Sequence, residues 1–115
     1  MRKIERQMNF AISNKGNWSN SNTTVEYNDS TNCSTVFLHG NRIATYDHSL
    51  CAVKISSCGW YSNTTKSRLN AILQEVKYGC HVFQKQFEWF VSYRDDVKDF
   101  WDGMILVDAD HLEIA

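Results

Sequence analysis

Residues 69–76 carry the one strong helical period in the chain, and that period limits what the rest can be. Leu69, Ile72, Leu73 and Val76 recur at i, i+3, i+4 and i+7, so a helix here has a single apolar stripe that must lie on another element. Ser62 or Asn63 can cap its start, and Thr64, Thr65 and Ser67 fill its first turn, which sets a helix over residues 63–77. The segments on either side read as strands. The stripe therefore has a sheet to cover, and the fold class is α+β.

The strand signals come in pairs. Ser34 to His39 and Arg42 to Asp47 flank Gly40-Asn41, a two-residue step suited to the primed turns of right-twisted hairpins. That register opposes Leu38 to Ile43 and Val36 to Thr45 on a core face. It puts Phe37 with Ala44, Thr35 with Tyr46 and His39 with Arg42 on the other. Thr23 to Tyr27 reads as a strand ending in the turn-rich Asn28–Asn32, and Leu50 to Ser56 reads as another that buries Cys51, Val53 and Ile55. Val82-Phe83 leads into the alternation Phe87, Trp89, Val91, Tyr93, and Asp102-Gly103 signals a hairpin from Phe100-Trp101 to Met104–Val107. Ile4, Met8, Ala11 and Ile12 share a helical face, so residues 3–13 are expected as a short helix, with a strand through Met8, Phe10 and Ile12 as the alternative. Residues 13–22 are a polar loop carrying Trp18. The expected architecture is one domain over residues 1–115: an antiparallel sheet of five to six strands, the main helix 63–77 and a short N-terminal helix packed on it.

Composition narrows the class. At 115 residues with 43% hydrophobic and 13% aromatic content, the chain suits one globular domain with a real core. No apolar run approaches the ~20 residues of a membrane span, and Met1–Arg6 is too charged for a secretory signal. A cytoplasmic, reducing setting is the expectation. Cys33, Cys51, Cys58 and Cys80 are then free thiols, and the Asn-x-Ser/Thr matches at Asn17, Asn22, Asn28, Asn32 and Asn63 are coincidental. The net charge of −1 hides an asymmetry: residues 1–74 carry +4 and residues 75–115 carry −5. A basic half suits phosphates and an acidic half suits a basic protein surface.

Lys66 and Arg68 are the oddity in the main helix. A helix N-terminus presents free N–H groups and partial positive charge, so acids are expected there. Two cations with Thr64 and Thr65, and Arg42 and His39 nearby, would instead suit an anion, either a phosphate or a partner's carboxylate. Phe37 and Tyr46 beside these residues would add stacking for a nucleic acid. A nucleotide-binding loop is excluded, because the spacing from Gly59 to Lys66-Ser67 is one residue too long and the glycine before the lysine is missing.

Other chemistry lacks support. No Cys-x-x-Cys or His-x-x-x-His pair occurs for a metal. Cys58, His39 and Asp47 have the composition of a nucleophilic triad but no sequence logic that joins them. Asp95, Asp96, Asp99 and Asp102 lack the calcium-loop pattern. Neither a catalytic residue, a metal ligand nor a cofactor is expected, and an enzyme is not. The acidic, aromatic C-terminal half offers a second contact surface through Trp89, Tyr93, Asp95, Asp96, Asp99 and Trp101.

Two segments also carry a resemblance. Leu38-His39-Gly40-Asn41-Arg42-Ile43-Ala44, followed by Cys58-Gly59-Trp60-Tyr61-Ser62-Asn63-Thr64-Thr65-Lys66-Ser67-Arg68-Leu69-Asn70-Ala71-Ile72-Leu73, resembles a motif pair of a family of small bacteriophage-encoded proteins. The resemblance implies a viral protein made in the host bacterial cytoplasm, which binds a host or phage macromolecule. An inhibitor of a bacterial defence system, such as a CRISPR effector, is the expected form. The alternative expectation is a small nucleic-acid-binding protein using the basic helix end and the aromatic sheet face.

Overall fold

A computed structural model describes residues 1–115 as two helices and nine strands. Helix α1 spans Lys3–Ser13, so the helical alternative wins at the N-terminus. It buries Met8, Ala11 and Ile12 together with Glu5 and Asn9. Helix α2 spans Asn63–Val76, where Ser62 accepts the Thr65 N–H at 3.1 Å as the cap. Leu69, Ile72 and Leu73 on its stripe are fully buried.

The strands divide into two antiparallel sheets. The larger has the order β1-β2-β3-β4-β5-β9, built from Trp18–Asn20, Thr23–Asn28, Cys33–Leu38, Asn41–Asp47, Ala52–Ile55 and Met104–Leu106. The smaller holds β6 (Cys80–Lys85), β7 (Glu88–Tyr93) and β8 (Asp96–Asp99) in sequence order. Val25, Val36, Leu38, Ile43, Val53, Ile55, Met104 and Leu106 line the core face of the large sheet, and both helices pack on it. Asn70 on α2 donates to the Val82 carbonyl at 3.0 Å and accepts the Val82 N–H at 2.6 Å. One side-chain amide thus occupies an edge strand of the small sheet, where unpaired backbone would otherwise invite another chain.

The one sheet expected is two, Trp18–Asn20 forms a strand within the expected polar loop, and four further details differ from the sequence reading. The β3–β4 turn is His39-Gly40, one residue early, with φ of 52° and 77° at its two positions, the signature of a type I′ turn. Phe37 then pairs with Arg42 and Val36 with Ala44, across a bulge between Val36 and Phe37. The extra residue lets consecutive Ile43 and Ala44 both bury. Tyr46 consequently packs against the core and is not on the Phe37–Arg42 face. Cys51 lies in an exposed turn at φ 52°, and only Val53 and Ile55 of that strand are buried. Phe87 is a turn residue between β6 and β7 and not part of the strand. Asp102-Gly103 closes no hairpin: it carries the chain from the small sheet to the large one, where β9 pairs with β5.

That crossing is firmly held. Asp102 accepts the backbone N–H of Ser57 at 2.7 Å and its hydroxyl at 2.8 Å, and the Gly103 N–H donates to the Ile55 carbonyl at 2.8 Å. Gly103 sits at φ 91°, in the left-handed region that a side chain resists. The crossing and the loop before α2 form a seam between the sheets.

Candidate functional site: an aromatic and acidic seam

The expected anion site does not assemble. Arg68 turns inward at 3% exposure. Its guanidinium donates to Glu5 at 2.9 Å, to the Thr23 hydroxyl at 3.0 Å and to the Asn22 side-chain carbonyl at 3.2 Å. Thr65 is buried and exchanges a hydrogen bond with the Ser62 hydroxyl. Lys66 is half-buried, with Nζ 3.5 Å from Gln84 Oε1 and 5.8 Å from the Trp89 ring centroid. Thr64, Thr65 and His39 do share a cavity of about 480 Å³ whose apolar walls are Leu38, Ile43 and Trp60. Arg42 is elsewhere, in a polar cleft with Phe37 that Glu26 and Asp29 also line. The six residues therefore serve four separate environments, and the strongest cation among them is consumed internally.

Burial alone would push the Glu5 carboxyl up. Hydrogen bonds from Ser67, Arg68 and the Arg2 backbone, with the attraction of Arg68, outweigh it and hold the group below its ordinary value.

Catalytic geometry is equally sparse. Cys58 Sγ lies against the Arg42 carbonyl at 2.9 Å and does not reach His39. Two Ser–His contacts form, Ser34–His48 at 2.8 Å and Ser92–His81 at 3.2 Å. Ser34 is fully buried, and no carboxylate bonds either histidine. No group of three or more His, Cys, Asp or Glu side chains converges as a metal site would require. No helix is long and apolar enough to cross a membrane.

The aromatic and acidic set fares differently, dividing between the two ends of the β7–β8 hairpin. At one end are Tyr93, Asp95 and Asp96. Tyr93 faces Lys77 Nζ at 4.4 Å, and Asp96 accepts the Leu112 N–H at 3.1 Å, so this end secures the C-terminal segment. At the other end Trp89 and Asp99 line one open recess of about 370 Å³. Trp101 lies exposed just beyond Phe100.

Four residues outside the predicted set complete the recess: Tyr61, Phe87, Glu88 and Phe100. Trp89 and Phe100 form its floor, nearly buried and 5.4 Å apart at 63°. Tyr61 stands on both, 4.9 Å from Trp89 at 84° and 6.3 Å from Phe100 at 81°. This edge-to-face triangle is the arrangement that ring quadrupoles favour. Phe87 adds a further wall at 96% exposure, and the Glu88 and Asp99 carboxylates are solvent-exposed at the margin. Trp60, next to Tyr61, is 64% exposed. Sequence reading missed Phe87 because the apolar alternation absorbed it into a strand, and the signal against that was only the polar pair Gln84-Lys85 before it. The Phe100–Tyr61 contact depends on the two sheets meeting, which no local pattern encodes.

A family model described as Kyanoviridae Gp96 protein matches residues 1–107. No curated protein and no solved structure matches the chain. The family match spans both helices, both sheets and every residue of the recess, and the chain belongs to the Kyanoviridae Gp96 family of phage proteins.

Proposed function

We propose that this phage protein is a non-enzymatic binder which docks a macromolecular complex of the infected bacterial cytoplasm through its aromatic seam. A host defence complex is the target on which such a binder would act as an inhibitor. One observation carries the reading: exposed Tyr61 and Phe87 line one aromatic recess, and exposed Trp60 and Trp101 adjoin its residues Tyr61 and Phe100 in the chain. Soluble domains seldom leave large rings grouped on the surface, and aromatic side chains dominate the energetics of protein interfaces. The neighbouring Glu88 and Asp99 supply the polar margin of such a surface.

The nucleic-acid alternative loses support from the inward turn of Arg68 and the acids beside Arg42, since phosphate binding scales with free cations. Affinity capture from infected-host lysate, with and without nuclease, decides between them. The expected result is a partner protein retained after nuclease treatment and lost by the Phe87→Ser, Trp101→Ser double variant. Nuclease-sensitive capture, or equal capture by the variant, removes the docking reading.

A further inference from the structure

The recess in the seam has a more specific chemistry than an apolar contact. Four rings line it: Tyr61, Phe87, Trp89 and Phe100. Because Tyr61 stands nearly perpendicular to both floor rings, the rings cannot all stack on one flat ligand. Four aromatic rings and two carboxylates around one open recess suit a cation, which ring faces and carboxylates both attract. Glu88 and Asp99 line the same recess, and no cation is paired with either carboxylate. Lys66 Nζ lies 5.8 Å from the Trp89 ring centroid, so an incoming cation would use the other rings and the two carboxylates of the recess. Phe87 holds φ 67° in the β6–β7 turn, in the left-handed region that a bulky side chain resists. At 96% exposure it gains almost no burial in return.

We propose that this recess is an aromatic cage for a basic side chain, a lysine or arginine presented by the partner protein; the inference rests on the docking reading above. The charge complementarity is on the same side: five of the six recess residues come from the acidic half of the chain, residues 75–115 carrying −5, and Glu88 and Asp99 would repel an acidic or phosphorylated segment.

The test uses the intact protein and three small probes, followed by NMR: N-acetyl-lysine methylamide, N-acetyl-arginine methylamide and the neutral N-acetyl-norleucine methylamide. The expected result is saturable shifts of the Trp89 indole and the Tyr61 and Phe87 ring signals with at least one basic probe. That probe should bind about fivefold or more tightly than the norleucine probe. Phe87→Ala and the Glu88→Gln, Asp99→Asn pair should each weaken binding severalfold, and both alter only exposed positions, so the fold is retained. Equal binding of norleucine would make the recess merely apolar, and no saturation by tens of millimolar of either basic probe would overturn the cage. If neither basic probe binds while Phe87→Ser, Trp101→Ser still abolishes lysate capture, the cage fails and the docking surface stands. If a basic probe binds in the cage but the double variant captures normally, the docking surface fails and the cation site stands.

Discussion

Arg68 reaches across from α2 to donate to Glu5 on α1 at 2.9 Å, and both side chains are all but excluded from water. The pair is the hub of the helix–helix contact. Ser67 also donates to Glu5, at 2.6 Å, and Arg68 continues to Thr23 on β2. Two helices and the large sheet thus meet at one buried charge network. Desolvating two ions is expensive, so such a pair need not stabilise more than an apolar one would, but removing one member strands the other.

The first prediction follows from that asymmetry. Arg68→Ala should lower unfolding free energy by about 3–5 kcal/mol, because it leaves the Glu5 carboxylate buried without its cation. The paired replacement Glu5→Leu, Arg68→Met should recover at least half of that loss in urea denaturation. Recovery stays incomplete because Ser67 and Thr23 lose partners. A double variant as unstable as the single one would mean that packing, and not the unpaired charge, sets the cost.

Acid should destabilise the fold in two stages. Burial first, and Lys15 second, hold His48 below its ordinary 6.5 against the opposing pull of Asp47. Glu5 is held below its ordinary 4.5. For both groups the unfolded chain binds the proton more readily, so each contributes stability above its ordinary value that is lost as pH falls. Stability should therefore decline from about pH 6.5 through His48 and again below 4.5 through Glu5. Denaturation midpoints across pH should show His48→Gln flattening the upper stage, and Glu5→Leu, Arg68→Met flattening the lower one.

The same pair shows what the sequence did and did not disclose. The helices were legible because period and cap are local: Leu69, Ile72 and Leu73 on α2, Met8 and Ile12 on α1. The β3–β4 core was legible too, although the turn moved from Gly40-Asn41 to His39-Gly40. The bulge at Ile43 absorbed the shift and kept Val36, Leu38 and Ile43 inside. Arg68 was misread because a cation near a helix start looks exposed until a distant Glu5 claims it. The recess was half visible. Trp89 and Asp99 come from the anticipated surface, while Tyr61 and Phe100 meet only when a crossing at Asp102 joins the sheets.

The cysteines should separate by access. Cys51 and Cys58 are exposed, Cys33 is partly covered and Cys80 is buried. Burial pushes the Cys80 thiol up to about 11 despite the opposing Lys77, so little thiolate forms there at neutral pH. In the native state an aromatic disulfide reagent should modify Cys51 and Cys58 first and Cys33 more slowly, sparing Cys80 until denaturant is added. Mass spectrometry of the labelled peptides reads the order. Prompt labelling of Cys80 would place β6 in a frequently opened state.

The last prediction concerns the turn at the edge of the recess. Gln86 and Phe87 occupy it at φ 52° and 67°, both in the left-handed region where asparagine and glycine are the favoured residues. Gln86→Asn, Phe87→Gly should therefore raise unfolding free energy by about 1 kcal/mol, since it relieves strain and removes a ring that is almost wholly exposed. The same variant should lose partner capture and basic-probe binding, because it removes one wall of the recess. Stability and binding would move in opposite directions in one variant, the pattern expected where a surface residue is kept for contact and against the preference of its own backbone. If urea denaturation instead shows a clear loss of stability, Phe87 contributes to the fold through Tyr61 and the floor beneath it, and its exposure is no argument for a partner.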